Sequence, residues 1–177
     1  MQRLTGDALQ QAYREGQRQF SRRDLTAIHL FQASLREVDL QGSCLAQAYL
    51  PYGNFTLANL KGVNFTDAQL GDSNFYGANL TEARCTQANF SRADLQTANL
   101  QGCDLRDANL SGADLRQADL TDAHLEGCIL VGARLEGAIL HGANLRRCNL
   151  FRAIGGDLTG ARCDPTTILP TGYNYGR

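Results

Sequence analysis

No apolar run in this sequence approaches the roughly 18 residues of a membrane-spanning helix, and Met1-Gln2-Arg3 leads into no apolar stretch of signal-peptide length. Charge of one sign is also missing: 17 Lys and Arg stand against 18 Asp and Glu, a formal net charge of −1. General binders of nucleic acid or anionic membranes normally carry a basic excess, so this balance argues against direct nucleic-acid binding and against a membrane partner. Cys-x-x-Cys, Gly-x-Gly-x-x-Gly and phosphate-loop patterns are absent, which removes the common signals for metal and nucleotide chemistry. The expectation is a soluble, cytoplasmic, single-domain protein with no cofactor and no metal.

What the sequence does contain is a period. From Leu25 to Leu150 every fifth residue is Leu, Phe or Cys: 21 Leu, the four phenylalanines Phe55, Phe65, Phe75 and Phe90, and Cys85. A helix turns about 100° per residue, so a five-residue repeat would spread these side chains around the whole cylinder. A straight strand would send alternate ones to opposite faces. All of them can be buried only if the chain bends once per repeat and coils about an axis, as a solenoid.

Two inward positions per repeat follow, the central residue and the one two before it. Of the 25 upstream sites from Ile28 to Cys148, 16 are Ala, so large and small side chains alternate in a narrow interior. Glycine falls two after the centre at nine positions, among them Gly42, Gly102 and Gly142, where the third position of a type II turn needs positive φ. Pro51, the one proline inside the array, takes the second turn position, which proline favours.

Outward charges indicate the number of sides. At a spacing of 20, the pairs Asp72/Arg92, Arg84/Asp104, Arg106/Glu126, Glu126/Arg146, Asp114/Arg134 and Arg116/Glu136 are opposite in sign, against one like pair, Asp94/Asp114. Spacings of 15 and 25 each give two opposite pairs and three like ones. Four sides and 20 residues per coil are expected, giving a rod of roughly 35 Å from a strand spacing of about 4.8 Å.

The ends must cap an exposed core. Leu9, Ala12, Tyr13 and Gly16 follow helical spacing, predicting a short capping helix over about Gly6 to Glu15. The phase breaks at Gly155, where a central residue is due, and resumes at Leu158 and Cys163. The expected organisation is a helical cap over 1–18, a repeat array over 19–163 with a phase break near 154–157, and an irregular cap or tail over 164–177.

Runs such as Ala108-Asn109-Leu110-Ser111-Gly112 resemble the pentapeptide-repeat family, and the match extends over roughly residues 20 to 163. The resemblance implies an all-β solenoid, a right-handed quadrilateral parallel β-helix of about seven four-sided coils. The stretch Tyr13-Arg14-Glu15-Gly16-Gln17-Arg18-Gln19-Phe20-Ser21 is similar to the cap-to-coil transition of cyanobacterial members.

Chemistry-bearing residues are absorbed by the architecture. Cys103, Cys128 and Cys148 fall on small inward sites, Cys85 and Cys163 on central ones, and only Cys44 points out, which favours core thiols over a Cys128–Cys148 disulfide. His29, His124 and His141 all lie outward, without an acid and a nucleophile beside them. No catalytic residue is assigned, and an enzyme is not expected.

Surface recognition remains. Tyr49, Pro51, Tyr52, Ile129, Val131 and Phe151 fall on one side as two apolar clusters separated by polar residues, in a repeat whose outside is otherwise Ser, Thr, Gln and Asn. Tyr49, Tyr52, Ile129, Val131 and Phe151 are therefore the candidate partner-binding residues, and burial beneath the terminal caps is the competing reading. The leading expectation is a non-catalytic interaction protein or scaffold with an unidentified protein partner. Two alternatives differ in class. One is a DNA mimic inhibiting or protecting an enzyme such as gyrase, which would need a continuous acidic side that this chain lacks. The other is a purely structural rod, or a homodimer through the apolar side.

Overall fold

A five-residue repeat has five backbone N–H groups to place, and the computed structural model, which describes residues 1–176, shows where they go. In the repeat around Leu100, the central N–H donates to Asp119 O in the next coil at 2.7 Å and the Asn99 N–H to Ala78 O in the previous coil at 3.0 Å. The Gly102 N–H reaches Thr121 O, and the Cys103 N–H closes the corner on Leu100 O, both at 3.0 Å. The fifth donor, Gln101 N–H, has no carbonyl to meet and is taken by the Asn99 side-chain oxygen at 3.0 Å. That bond explains the frequency of Asn and Asp one residue before the centre, since both side chains mimic a backbone turn. Pro51 stands two residues after Tyr49, which cannot accept in this way, and proline brings no N–H to satisfy.

The resulting ladder is parallel and has Cα partners 20 residues apart, from Gln19 with Asp39 through Ile129 with Asn149. Four repeats therefore complete one coil. Extended stretches are so short that, among the described residues, only β1 (Gln2–Arg3), β2 (Arg23–Asp24), β3 (Arg134–Leu135) and β4 (Ile154–Gly155) reach strand length. Inside, the central residues from Leu25 to Leu150 are all buried, with alanines filling the space between them. Phe55 and Phe75 stack in consecutive coils at 4.9 Å and 7°, while Phe65 meets Phe90 edge-on at 6.5 Å. Ser43 and Ser73 occupy small inward sites by donating to Phe20 O and Leu50 O, so neither hydroxyl is orphaned.

The corners differ from the expectation that glycine supplies the turn. Positive φ recurs at the residue two after the centre, but 18 non-glycine residues hold it, with φ between 54° and 60°. Stacking fixes the backbone and overrides local preference, even at β-branched Thr97 with φ 57°.

At the N-terminal end β1 pairs in parallel with β2, and helix α1 (Gly6–Arg14) lies over the first coil. Thr5 caps it by accepting from Ala8 N–H, Asp7 and Arg14 match the helix dipole, and Leu9 is buried against the coil. The Gly6 backbone packs closely on Leu30, where an added Cβ would fall 2.9 Å from Leu30 Cδ2.

At the other end β4 still pairs with β3 at the 20-residue offset, and Gly155 is the residue that fits: a Cβ there would meet Glu136 N and Cα at 2.9 Å. Past the break the offset contracts to 18 for Asn144 with Arg162 and 19 for Asn149 with Ile168. Parallel pairing thus continues beyond Asp164, from which sequence periodicity had suggested an irregular cap. Thr167 is buried in a small inward place, donating to Leu145 O, and antiparallel pairing of Ile168 with Asn174 ends the described chain's ladder.

The charge pattern indicated the register correctly and most of the contacts incorrectly. Of the six opposite pairs, two are ion pairs in the structure, Asp72–Arg92 at 2.6 Å and Asp114–Arg134 at 3.8 Å. Arg106 turns instead to Asp104 and Arg116 to Asp114 within their own repeats, at 2.7 and 2.6 Å. A two-residue step along one side is short enough for an arginine to reach the carboxylate without crossing to the next coil.

Thr97→Gly should raise unfolding stability by roughly 0.5–1 kcal/mol and Gly102→Thr should lower it by a similar or larger amount. The nearest atom to a Gly102 Cβ is Glu82 Cγ at 4.0 Å, so that substitution tests φ rather than space; urea denaturation reads both. Arg92, Arg106 and Arg116 donate to Asp72, Asp104 and Asp114 and hold these carboxyls below the usual aspartate range. Because the folded values are lowered, the unfolded chain takes up protons first. Their stabilisation is complete above the ordinary aspartate value of about 4 and is lost as pH falls through the lower folded values. The thermal midpoint should hold between about pH 7 and 5 and drop below about pH 4, with Asp104→Asn making the drop shallower.

Candidate interaction surface

Each side of the coil presents one outward column at the residue before the centre and two corner columns after it. Because partners stand 20 residues apart, the side holding Tyr49 also holds His29, Gln69, Asn89, Asn109, Ile129 and Asn149 in one column. Tyr49 is 42% exposed and Tyr52 51%, so helix α1 covers neither. Their rings are ordered by the preceding coil: Tyr49 lies 5.6 Å from His29 at 31°, and Tyr52 meets Phe31 edge-on at 5.6 Å and 72°.

Phe31, 56% exposed, is the member that the sequence reading missed. Its signal was available, since it stands one coil before Pro51 in the same corner column. Leu57 and Tyr76 on the next corner are also exposed and were missed; Leu57 folds over Gly77, where a Cβ would come within 2.7 Å of Leu57 Cδ2.

The C-terminal cluster is less open. Ile129 is 42% exposed, Val131 is half-buried, and Phe151 is exposed at 38% with Gly172 against its ring and the Arg152 guanidinium 5.1 Å from its centroid. Polar groups separate the two clusters: Asn89 donates to Gln69 at 3.1 Å, and Arg92 holds Asp72 through two bonds of 2.7 and 2.6 Å. The structure therefore brings Tyr49 and Tyr52 together and keeps them apart from Ile129, Val131 and Phe151. Ile139 is exposed on the opposite side.

Reactive groups are arranged for packing. All six cysteines are free. Cys85 and Cys103 are buried with sulfurs 3.8 Å apart, and their mutual hydrogen bond together with burial pushes the Cys103 thiol up, away from the reactive thiolate. Cys128 and Cys148 donate to Leu105 O and Leu125 O, playing the part that serine hydroxyls play in earlier coils. His29, His124 and His141 are exposed. Among the described residues, no group of three or more His, Cys, Asp or Glu is placed to hold a metal ion. No helix among them is long and apolar enough to cross a membrane.

Comparison with known proteins agrees with this geometry. The family model described as pentapeptide repeats matches with 8 copies, over residues 45–77, 58–96, 83–127 and 118–154. Among solved structures, a trypsin-treated form of QnrB1, a plasmid-mediated fluoroquinolone resistance protein, is similar at 20% identity with a TM-score of 0.53, covering 84% of this chain and 86% of its own. HetL from the cyanobacterium Nostoc sp. strain PCC 7120 is 28% identical over 97% of this chain and 100% of its own, with a TM-score of 0.31. The pentapeptide repeat protein alr5209 from Nostoc is 28% identical over 92% of this chain and 98% of its own, with a TM-score of 0.41. No curated protein matches. With the family model spanning more than half of the 177 residues and the coil repeating every four pentapeptides, the chain belongs to the pentapeptide-repeat family.

Proposed function

We propose that this protein is a non-catalytic interaction module, a right-handed four-sided rod that presents one side to a protein partner in the cytoplasm. The observation carrying this reading is the clustering of three exposed rings, Tyr49, Tyr52 and Phe31, on neighbouring coils of one side of the rod. Aromatic side chains bury large area at low conformational cost, and rings already ordered by their neighbours lose less entropy on binding. The filled interior leaves substrate-sized chemistry no place, so binding energy must come from the surface. Ile129, Val131 and Phe151 form a second, smaller contact area on the same side.

The DNA-mimic reading has less support in this chain. Asp94 and Asp114 stand in one column, but Arg134 follows them there and lies 3.8 Å from Asp114, which Arg116 also engages. A duplex-like acidic strip is thereby interrupted by positive charge.

Affinity capture from a lysate of the source organism tests the proposal. Wild type should retain a protein that a Tyr49→Gln/Tyr52→Gly variant loses by about tenfold or more, with an Ile129→Glu/Val131→Glu variant showing a smaller loss, once circular dichroism confirms that all are folded. Equal capture by all three would overturn the assignment of this side, and concentration-dependent sedimentation without any captured protein would replace it with self-association.

A further inference from the structure

Cysteine breaks the interior pattern twice at one point of contact. Of the 26 central positions from Leu25 to Leu150, Cys85 is the one that is neither Leu nor Phe, and the small inward site touching it holds Cys103. Both side chains are buried, in consecutive coils, with their sulfurs 3.8 Å apart. Packing alone does not call for two thiols, since Phe65 with Ala83 and Leu105 with Ala123 fill the same paired positions in the coils on either side. Cys103 is also oriented unlike its counterparts. Ser43, Ser73, Cys128 and Cys148 stand at small inward sites, and each donates to the backbone carbonyl 23 residues earlier. Cys103 donates instead to Cys85 Sγ, so its thiol faces a second sulfur where the others face backbone.

The register decides what such a pair can bind. The ladder joins Arg84 with Asp104, so Cys85 lies opposite Leu105 and Cys103 is diagonal to it by two residues. With strands about 4.8 Å apart and a rise of about 3.3 Å per residue, the two Cα atoms stand roughly 8 Å apart. A disulfide without backbone movement needs less than about 7 Å, and the stacked coils hold the backbone in place. A single ion between the sulfurs meets no such limit. Metal–thiolate bonds are about 2.3 Å long at zinc, so two bonds of that length in line span roughly 4.6 Å, and the sulfurs need part by only about 0.8 Å. Zinc itself takes four ligands, and among the described residues no group of three or more His, Cys, Asp or Glu is placed to supply them. Cuprous copper is a soft ion that thiolates select and that two ligands in line satisfy.

We propose that Cys85 and Cys103 form a buried two-coordinate site for cuprous copper, bracing the two coils that they join. The ion bonds to both sulfurs; one S–H bond breaks and its proton leaves to solvent, while the other thiol keeps its proton. The charges of ion and thiolate cancel, so the filled site adds no net charge to an apolar interior. Because both side chains are closed to solvent, the ion enters while the coils are open, and loading is coupled to folding. The site lies inside the rod and is independent of the partner-binding side.

The test is refolding of the full chain from urea without oxygen, with one equivalent of cuprous ion supplied as its acetonitrile complex, followed by gel filtration in excess glutathione. Copper content is read on the folded fraction, and X-ray absorption counts the sulfur neighbours of the ion. Wild type should retain one copper per chain with two sulfur neighbours, and its urea midpoint should rise on loading. The double variant Cys85→Leu/Cys103→Ala installs the pair that other coils use, and Cys103→Ser installs the residue found at Ser43 and Ser73, so both are expected to fold. Each should retain about tenfold less copper. Cys128→Ala and Cys44→Ser should retain as much as wild type. Elution of wild type without copper, equal retention by the double variant and Cys103→Ser, or loss of copper from Cys128→Ala would overturn the proposal. A Cys85–Cys103 disulfide formed in the folded, oxidised chain would also overturn it, because that bond needs the closer approach that the register denies.

Discussion

The structure depends on one constraint, that four of the five backbone N–H groups in a regular repeat reach carbonyls while the chain turns through a quarter of a circuit. Three go to neighbouring coils, one closes the corner, and the fifth is taken by an Asn or Asp side chain where one precedes the central residue. Where it is present, the side-chain acceptor leaves no donor of the bend unpaired, and the stacked carbonyls hold the offset at 20. Leucine at the centre and alanine two before it then fill the only volume the backbone encloses. Packing and hydrogen bonding thus select the same period, and that agreement between levels allows so repetitive a sequence to specify a single register.

Interior and exterior are consequently decoupled. Inward positions tolerate little beyond Leu, Phe, Ala and small polar groups that can donate back to a carbonyl, as Ser43, Ser73 and Thr167 do. Outward columns vary more freely, because a side chain there meets only its own repeat and the coils beside it, as Arg106 meets Asp104 and Arg92 meets Asp72. Function therefore has to be sought in departures from the polar pattern outside, and the ring cluster of Phe31, Tyr49 and Tyr52 is a departure that neither cap explains. The four-sided lattice gives such a cluster fixed spacing along the rod axis, which makes ligand dimensions part of the recognition.

Much of this was legible in the sequence because a strict period leaves few geometries. The coil, the two inward columns and the 20-residue register could be read from Leu25 to Leu150, and the capping helix from the spacing of Leu9, Ala12 and Tyr13. The ion pairs could not, because sequence distance says which coil a charge is on and not that Arg106 will bend back to Asp104 within its own repeat. The corner conformation at Thr97 was hidden for a related reason: stacking overrides a preference that residue type alone expresses. Contraction of the ladder after Gly155 is signalled by the shift of phase to Leu158 and Cys163, 18 residues after Leu140 and Leu145, while the close approach of Gly155 to the Glu136 backbone has no periodic signature. Phe31 was in plain view by column arithmetic, but its exposure depended on where α1 lay.

Amide hydrogen exchange resolved by NMR tests the backbone scheme most directly. Amides of central residues and of the residues before and two after them should be protected throughout the array. The residue just after the centre should be protected where Asn or Asp precedes the centre, as at Gln101 and Ser111, and should exchange faster where it does not, as at Thr86 after Arg84 and Val131 after Ile129. Equal protection at these two sets of positions, or a protection pattern without a five-residue period, would contradict the account.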